Sequence, residues 1–505
     1  TQVLEAILLA RDAKLYSAIT DCGAGGLSSA IGEMGSELGA EVDLEKVPLK
    51  YMGLDPWEVW LSEAQERMVL AVPPEHWPQL KAICDGLDLE ATDLGRFTGE
   101  GRVVLRHRGQ IVGDLETHFL HDGIPQRKLT AVWTPSRHVE PELTLDDASA
   151  DLLALLARPE IRSKEEVVRR YDHEVQGATV VKPMVGVSAD GPGNSTVLAP
   201  FQLRKEGAPV RGVALSVGIN PFYGAIDPYH MAQAAVDEAM RNVVAVGADP
   251  EQVSLLDNFC WGNPNLPDRL GGLVRCARGC HDAAVALGAP YISGKDSLNN
   301  EYADADGVRH PIPGTILISA MGIVPDARAT VTSDLKAAGH LLYLLGSTGD
   351  ELGGGAWYRH HGHVGAQVPK ARSIARKLFG ALHKAIASGH VVSCHDLSEG
   401  GLAVALAEMA IGGRLGVEVD VEKVPCDEAE VGVEALLFSE SLSRFVLEVK
   451  PEQAEALETT LAGMPLARIG VVTQETTLKL RQGEGVVLEV AVEPAKQAWR
   501  GHVGW

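Results

Sequence analysis

Two stretches of the chain that lie far apart share one pattern of apolar and polar residues. In the earlier stretch, apolar residues recur every three or four positions and predict an amphipathic helix, at Leu27, Ile31, Met34 and Leu38. The runs "RMVLAV" and "RFVLEV" predict one buried strand in each stretch, and "VVLRHRGQIVGDL" and "LKLRQGEGVVLEV" each predict a hairpin. Each stretch therefore predicts an α+β domain.

The similarity between the two stretches keeps its register over three separate segments. "DCGAGGL" from Asp21 matches "DLSEGGL" from Asp396 at an offset of 375 residues. "EVDLEKVP" then matches "EVDVEKVP", and "LSEAQERMVLAV" matches "FSESLSRFVLEV", both at an offset of 377 residues. We interpret residues 18–115 and 393–490, with approximate ends, as two copies of one duplicated domain, called the first copy and the second copy below.

A segment of a different kind separates the two copies. It predicts a helix from Tyr229 to Val246 and ends in the apolar strand "GTILISAMGIV". With the repeated domain as B and the middle segment as A, the mixed α/β chain reads B–A–B. A duplicated A–B unit would read A–B–A–B, and the chain begins with Thr1 instead of methionine, so we expect a further A domain upstream. The predicted boundaries are 1–135 for the first B domain, 136–170 for a linker, 171–327 for the A domain and 328–505 for the second B domain.

The composition excludes some classes of partner. The 505 residues include 45% hydrophobic and 22% charged residues, with a formal net charge of −23. This surplus of negative charge disfavours broad attraction to nucleic acid or to an anionic membrane, so we expect neither as a partner. The sequence has no run of about 18 apolar residues that would predict a membrane span. Seven scattered cysteines fit a reducing cytoplasm, which is the expected location.

Both copies place an aspartate, Asp21 or Asp396, shortly before a Gly-Gly pair that opens an apolar helix. Glycine allows a ligand to approach the backbone, and a helix N-terminus offers free N–H groups to a phosphate. The aspartate could then hold Mg²⁺ against that phosphate. The alternative is a tight strand-to-helix turn in which the aspartate caps the helix. Duplication does not decide between them, because a structural turn would be duplicated too.

The predicted helix of the middle segment carries Glu238 and Asn242, which are four residues apart and therefore share one face. A carboxylate and an amide oxygen on a largely apolar face suit a hard cation such as Mg²⁺. The alternative is an ordinary exposed polar pair.

Two further segments of the middle region predict ligand contacts. "VSLLDNFCWGNP" places Asp257 after an apolar strand that ends at Leu256, where ligand sites of α/β folds collect. "ISGKDS" repeats this layout, with Gly294 allowing close approach, Lys295 able to contact a phosphate and Ser297 offering a polar contact. The sequence contains neither a Walker loop nor a Rossmann fingerprint, so a nucleotide site here belongs to another fold.

The two copies differ at one informative place. The first copy reads "SEAQER" where the second reads "SESLSR", so Leu442 stands opposite Gln65. The two segments share Ser-Glu but differ in the residues that follow. This difference indicates that one copy binds substrate and that the other no longer does. The alternative is that both segments are strand ends with solvated charges.

Six motifs, in this order along the chain, resemble the phosphoribosylformylglycinamidine synthases: "DCGAGGLSSA", "SEAQERM", "YDHEVQGATVVKP", "LDNFCWGNP", "GKDS" and "HDLSEGG". They span essentially the whole chain. The resemblance implies the fold of the aminoimidazole ribonucleotide synthetase-like ATP-binding superfamily, with a duplicated A–B unit and a nucleotide site in each half. One site is then catalytic, and its pseudo-symmetric mate can hold a structural ADP.

The resemblance also implies roles for single residues. Ala64 stands where serine is usual, Gly218 where many relatives have an aspartate contact, and Lys295 where many have an asparagine metal ligand. A charged lysine cannot ligate Mg²⁺, so a phosphate contact is the expectation for Lys295. The principal catalytic histidines are expected upstream of this chain. The implied site residues are Asp21, Glu238, Asn242 and Asp396 for metal, Glu63, Ala64, Gln65 and Ser297 for substrate, and Asp257, Gly294, Lys295 and Ser398 for ATP.

The reaction that the resemblance implies is an ATP- and Mg²⁺-dependent carbon–nitrogen ligation in purine biosynthesis. The formyl amide oxygen of formylglycinamide ribonucleotide attacks the γ-phosphate of ATP, and ammonia then displaces phosphate to give formylglycinamidine ribonucleotide. The implied partners are a glutaminase subunit that supplies ammonia and a small bridging subunit. Two alternatives are a kinase or cyclase of the same superfamily and a nucleotide-binding fragment without chemistry of its own.

Overall fold

A computed structural model describes residues 2–64, 66–135, 137–200, 202 and 204–501. The chain divides into two units, Thr1–Lys128 and Leu129–Trp505, each with its own buried apolar clusters. Within the described part of the chain, no helix is both long and apolar enough to cross a membrane.

The first unit contains a four-stranded and a two-stranded sheet. Its strands are β1 (Ala18–Asp21), β2 (Ala40–Asp43), β3 (Met68–Ala71), β4 (Gly95–Phe97), β5 (Arg102–His107) and β6 (Gln110–Glu116), and its helices are α1 (Gln2–Asp12), α2 (Gly26–Met34), α3 (Pro56–Leu61), α4 (Trp77–Gly86) and α5 (Thr117–Asp122). The larger sheet has the order β4-β2-β5-β6, in which only β2 and β5 are parallel. β1 pairs antiparallel with β3, so Asp21 lies opposite Met68 at the end of the strand.

The second unit begins with two helices and continues into a six-stranded mixed sheet. The elements up to the end of this sheet are α6 (Ala148–Leu156), α7 (Glu165–Val168), β7 (Thr179–Val181), β8 (Met184–Val185), β9 (Gly191–Pro192), β10 (Thr196–Leu198), β11 (Gly212–Ile219), α8 (Pro228–Ala245), β12 (Val253–Trp261), α9 (Pro267–Leu287), β13 (Tyr291–Leu298), β14 (Glu301–Ala303), β15 (Arg309–Pro311) and β16 (Thr315–Val324). The sheet order is β13-β12-β16-β11-β10-β7, and α8 packs against β11, β16 and α9.

The second copy reproduces the strand pairing of the first copy inside one larger sheet. The remaining elements of the second unit, which include this copy, are β17 (Leu341–Leu345), α10 (Ala356–His360), α11 (Ala375–Ala387), β18 (Ser393–Asp396), α12 (Gly401–Gly413), β19 (Gly416–Asp420), α13 (Val433–Phe438), β20 (Phe445–Val449), α14 (Ala454–Thr460), β21 (Leu466–Thr473), β22 (Thr477–Gln482), β23 (Gly485–Ala491) and α15 (Val492–Arg500). The pair β18-β20 corresponds to β1-β3, and β21-β19-β22-β23 corresponds to β4-β2-β5-β6. β17 pairs with both β20 and β21 and so joins the two sets. The predicted internal repeat is thereby confirmed.

Several predicted elements are confirmed, and two are wrong. The helix predicted from Tyr229 is α8, and both predicted hairpins form. The predicted strand end at Leu256 is wrong because β12 continues to Trp261 and places Asp257 inside the strand. β12 pairs with β13 on one side and β16 on the other, and this pairing holds the polar residues in extended backbone. The predicted turn "ISGKDS" is likewise part of β13.

Gly218 has a packing reason that the sequence did not show. It lies in β11, where α8 crosses the sheet, and a Cβ built on it would lie 2.0 Å from the carbonyl oxygen of Ala235. No side chain fits at that distance without a shift of the backbone. An aspartate would not fit here, because α8 and β11 are in close contact at this position.

Candidate functional site

The glycine turns of the two copies have the same backbone geometry. Gly26 and Gly401 open α2 and α12 with φ angles of 58° and 62°. A Cβ on Gly26 would lie 2.3 Å from the carbonyl oxygen of Ser62, and one on Gly401 would lie 2.4 Å from that of Ser439. Both the positive φ and the close approach require glycine. The turn is therefore built twice in one form, with the helix N-terminus beside the loop that follows α3 or α13.

The loop that carries the "SEAQER" and "SESLSR" segments is also repeated. Glu66 and Ser443 both adopt positive φ, at 61° and 59°. The next residue in each copy, Arg67 or Arg444, donates from Nη2 to the carbonyl oxygen five residues before it. These arginines close the loop against the glycine turn, so their repetition reflects the architecture of the fold.

In the first copy, the predicted ligand residues face solvent. Asp21 is exposed at the end of β1, Glu63 is exposed after α3, and Ala64 beside it is partly buried. Gln65 lies outside the described residues. The first copy therefore presents two carboxylates next to the N-terminus of α2, an arrangement that suits a cation and a phosphate.

In the second copy, a carboxylate of the chain itself occupies the glycine turn. Glu440, which corresponds to Glu63, is 3% exposed. Its Oε1 accepts hydrogen bonds from the backbone N–H groups of Gly400 at 2.8 Å and Ala356 at 2.7 Å, and its Oε2 accepts one from the hydroxyl of Tyr223. The positive end of α12 is thus neutralised from within. The first copy leaves the corresponding glutamate exposed, so the two turns differ in electrostatics although their backbones agree.

A buried arginine lies among the predicted metal ligands of the second copy. Arg241 is 2% exposed and forms ion pairs with Asp237 on its own helix and with Asp396 at 3.4 Å. Its Nη2 also donates to Ser398 Oγ at 3.1 Å, and Ser398 Oγ donates to Asp396. The guanidinium lies against both buried carboxylates and compensates their negative charge. The cation beside Asp396 in this structure is therefore Arg241.

Glu238 and Asn242 lie on the same helix but use their polar atoms differently. Glu238 Oε2 accepts hydrogen bonds from the backbone N–H of Ile219 at 2.9 Å and from Asn220 Nδ2 at 2.7 Å. Asn242 Nδ2 donates to the backbone carbonyl oxygen of Glu238 at 3.0 Å. Burial, together with the charge of Asp396, raises the pKa of Glu238 to about 8 although Arg241 opposes the shift. Glu238 is therefore largely protonated at neutral pH, unlike a ligand already poised for Mg²⁺.

A cavity of about 80 Å³ opens beside this cluster and is lined by Asp396, Ser398 and Glu399 together with His395 and Glu408. Burial and the nearby charges of Glu238 and Glu440 raise the pKa of Glu399 well above its usual range. Burial alone would lower the pKa of His395, but the hydrogen bond and charge of Glu408 raise it. The cavity is therefore acidic and small.

The predicted ATP contacts of the middle domain form one group at the edge of its sheet. β12 and β13 are parallel, and Asp257 lies directly opposite Gly294. Burial and then the charge of Asp296 raise the pKa of Asp257, although a hydrogen bond from the backbone of Lys295 opposes this. Lys295 Nζ donates to Ser297 Oγ at 3.3 Å. The structure thus brings Asp257, Gly294, Lys295 and Ser297 together on an exposed edge.

Sequence reasoning missed Arg241, Asp237 and Glu440. The Asp237–Arg241 spacing of four residues is typical of an ion pair on one helix and was visible in the sequence. Glu440 could have been found by carrying Glu63 through the offset of 377 residues. The sequence could not show that these charged side chains are buried, and burial is the reason that they must pair with one another.

Family models match most of both copies and of the middle domain. The model for the C-terminal domain of AIR synthase related proteins matches residues 1–108 and 337–482, which is half of the chain. The model for the N-terminal domain of the same proteins matches residues 208–324. The chain belongs to the AIR synthase related protein family. Its C-terminal-type domains flank an N-terminal-type domain, which confirms the predicted B–A–B order.

Curated members of this family match the chain over nearly its whole length. The phosphoribosylformylglycinamidine synthase subunit PurL of Deinococcus radiodurans is 35% identical and covers 98% of this chain and 66% of its own length. The corresponding subunit of Thermoplasma acidophilum is 30% identical, with 98% and 64% covered. The chain thus spans about two thirds of the length of these relatives.

Solved structures show the same fold. Thermotoga maritima PurL complexed with ADP has a TM-score of 0.63 and 22% identity, and the match covers 94% of this chain and 66% of that one. The same protein complexed with ATP has a TM-score of 0.62 and 21% identity, with the same coverage. The likeness supports the α+β architecture of this AIR synthase related chain.

Proposed function

We propose that this chain forms part of an ATP-dependent phosphoribosylformylglycinamidine synthase. The observation that carries the proposal is the 35% identity to curated PurL subunits over 98% of the chain. The six ordered motifs fall inside this match. The enzyme class is a carbon–nitrogen ligase that consumes ATP.

We assign Mg²⁺ binding to Asp21 in the first copy and substrate contacts to Glu63, Ala64 and Gln65. Asp21 and Glu63 are exposed beside the N-terminus of α2, where negative ligand groups are favoured. The carboxylates of the first copy are available to a cation. In the second copy, Asp396 is paired with Arg241, and Glu440 accepts hydrogen bonds from the chain itself. This contrast supports the first copy as the one that binds reactants.

Contacts to ATP are proposed for Asp257, Gly294 and Lys295, with Ser297 contacting substrate. These residues adjoin one another on β12 and β13, and Lys295 supplies a positive charge that suits a phosphate. Thermotoga maritima PurL is known in complex with ATP and, in another structure, with FGAR. Those two ligands support a nucleoside triphosphate and a ribonucleotide as the classes of ligand proposed for this chain.

The second copy, together with α8 of the middle segment, is proposed to hold a structural ADP and Mg²⁺ through Glu238, Asn242, Asp396 and Ser398, on one condition. Arg241 must leave Asp396, and Glu238 must lose its proton, before a divalent cation can replace the guanidinium. A ligand held at 100 times its dissociation constant adds about 2.7 kcal/mol to the free energy of unfolding. Thermal unfolding with and without MgADP tests this, because the shift should be smaller in Asp396→Asn plus Glu238→Gln, which keeps only the nucleotide site at Asp257. Equal shifts in parent and variant contradict the assignment.

In the proposed reaction, the substrate amide oxygen takes the γ-phosphoryl group of ATP and ammonia then displaces phosphate. Positioning and charge neutralisation supply most of the catalysis in phosphoryl transfer. Ammonia is proposed to come from glutamine through a separate glutaminase subunit, with a small bridging subunit as third partner. A structure named PurLQS from Thermotoga maritima is similar in fold to this chain.

Calorimetric titration of MgATP onto the full chain tests the nucleotide assignment. We expect saturable binding in the parent that Asp257→Asn weakens at least about tenfold, because the charged acceptor for hydrogen-bond donors of the nucleotide or for its Mg²⁺ is lost. Asp85→Asn is the matched control, since Asp85 is an exposed carboxylate on α4. Absence of MgATP binding, or equal binding in Asp257→Asn and the control, contradicts the proposal.

A further inference from the structure

Two histidines and an aspartate converge in the second unit, and none of the three is among the predicted site residues. Asp151 lies on α6, His360 is the last residue of α10, and His361 follows it directly. His361 Nε2 lies 3.2 Å from Asp151 Oδ2, and His360 Nε2 lies 3.7 Å from Asp151 Oδ1. One ligand atom from each residue falls within 4.8 Å of the others, and among the described residues this is the one such group found.

The carboxylate of this cluster is fixed by a buried tryptophan. Trp357 is 1% exposed, and its Nε1 donates to Asp151 Oδ2 at 2.7 Å. The same indole packs edge-on against the ring of His361, with centroids 5.1 Å apart, and stacks on Phe438. Groups that orient metal ligands in this way are typical of metal sites, where a hydrogen bond to the ligating carboxylate fixes its direction. Asp151 still has lone pairs on both oxygens for a further partner.

We propose that Asp151, His360 and His361 bind one divalent transition-metal ion of the zinc class. Ligands about 2.0–2.2 Å from a tetrahedral ion lie roughly 3.3–3.6 Å from one another. The two separations from Asp151, 3.2 and 3.7 Å, lie close to this range. Two imidazoles and one carboxylate select zinc, cobalt, nickel or copper over magnesium or calcium. The side chains of His360 and His361 are 32% and 31% exposed, which leaves an entry path and room for water in the remaining coordination position.

The ion would connect α6 to α10, two helices that are distant in sequence.

Titration of the full chain, freed of metal with a chelator and carrying no histidine tag, tests the proposal. We expect one Zn²⁺ per chain by calorimetry, and one Co²⁺ with the visible ligand-field bands of a low-coordinate site. His361→Asn should weaken Zn²⁺ binding at least about 100-fold, since removing a ligand costs more than removing its hydrogen-bond partner. Trp357→Phe, which keeps the ring and removes the Nε1 donor, should weaken binding about tenfold.

His363→Asn is the matched control, because His363 is an exposed histidine two residues along the chain. It should bind Zn²⁺ as the parent does. The absence of stoichiometric Zn²⁺ and Co²⁺ binding by the parent overturns the proposal. Binding that survives in the double variant His360→Asn plus His361→Asn also overturns it, because the ion would then sit elsewhere.

Discussion

Replacing Arg241 with leucine tests whether this arginine of α8 compensates the buried carboxylates of Asp237 and Asp396. The change keeps much of the aliphatic packing and removes the guanidinium from Asp237 and Asp396, which are 3% and 5% exposed. Breaking a buried ion pair by removing one partner costs about 3–5 kcal/mol. Asp237 keeps hydrogen bonds from Ser443, and Asp396 keeps one from Ser398, so we expect about 3 kcal/mol.

The loss of stability should also depend on Mg²⁺. If Asp396 can hold a cation, Mg²⁺ should restore part of the lost stability, and should not do so when Asp396→Asn is added.

Equilibrium urea unfolding, followed by tryptophan fluorescence and circular dichroism, measures the effect. Arg376→Leu is the control, because Arg376 pairs with Glu251 on the surface of the same unit and such pairs contribute about 0.2–1 kcal/mol. A loss for Arg241→Leu below about 1 kcal/mol, or equal to that of the control, would refute the reasoning that Arg241 compensates buried charge.

Three further predictions concern packing and charge. Gly218→Ala should lower the free energy of unfolding by about 1–3 kcal/mol because its Cβ meets the α8 backbone, whereas Gly380→Ala, in an open helical position, should raise it by up to about 1 kcal/mol in the same urea assay. Glu440→Gln should lower the free energy of unfolding by about 1–3 kcal/mol because a buried hydrogen-bond acceptor is lost. Glu63→Gln, at the corresponding exposed position of the first copy, should change the urea midpoint little. The raised pKa of Glu238 predicts that the parent loses stability as pH rises from about 5 to about 8, and that Glu238→Gln flattens this dependence; parallel pH profiles would contradict it.

The repeated register made the fold predictable. Once "DCGAGGL" and "DLSEGGL" were aligned, the pairing of β1 with β3 implied that of β18 with β20, and the hairpins implied the rest of each copy. Asp257 shows where such reasoning failed. A polar residue after an apolar run reads as a strand end, but pairing with β13 and β16 continues the strand through it.

The candidate site was predictable only in part, and for a physical reason. Residue types and spacing identified Glu238, Asn242 and Asp396 as possible metal ligands, but in the structure Arg241 pairs with Asp396, and Asn242 donates to the backbone of Glu238. Spacing cannot show which charge compensates which, because that depends on burial and on contacts between residues 155 positions apart. The same holds for Asp151 and His361, which are 210 positions apart.

Substrate-dependent phosphate release most directly tests the central claim that this chain belongs to a formylglycinamidine ribonucleotide-forming ligase. The protein should be isolated from its own cells with the chains that accompany it, and supplied with MgATP, ammonium and formylglycinamide ribonucleotide. We predict phosphate release that requires the ribonucleotide and falls at least about 100-fold in Asp21→Asn, because losing a metal contact costs several kcal/mol of barrier lowering. Phosphate release that is independent of the ribonucleotide, or equal in Asp21→Asn and Asp85→Asn, would contradict the account.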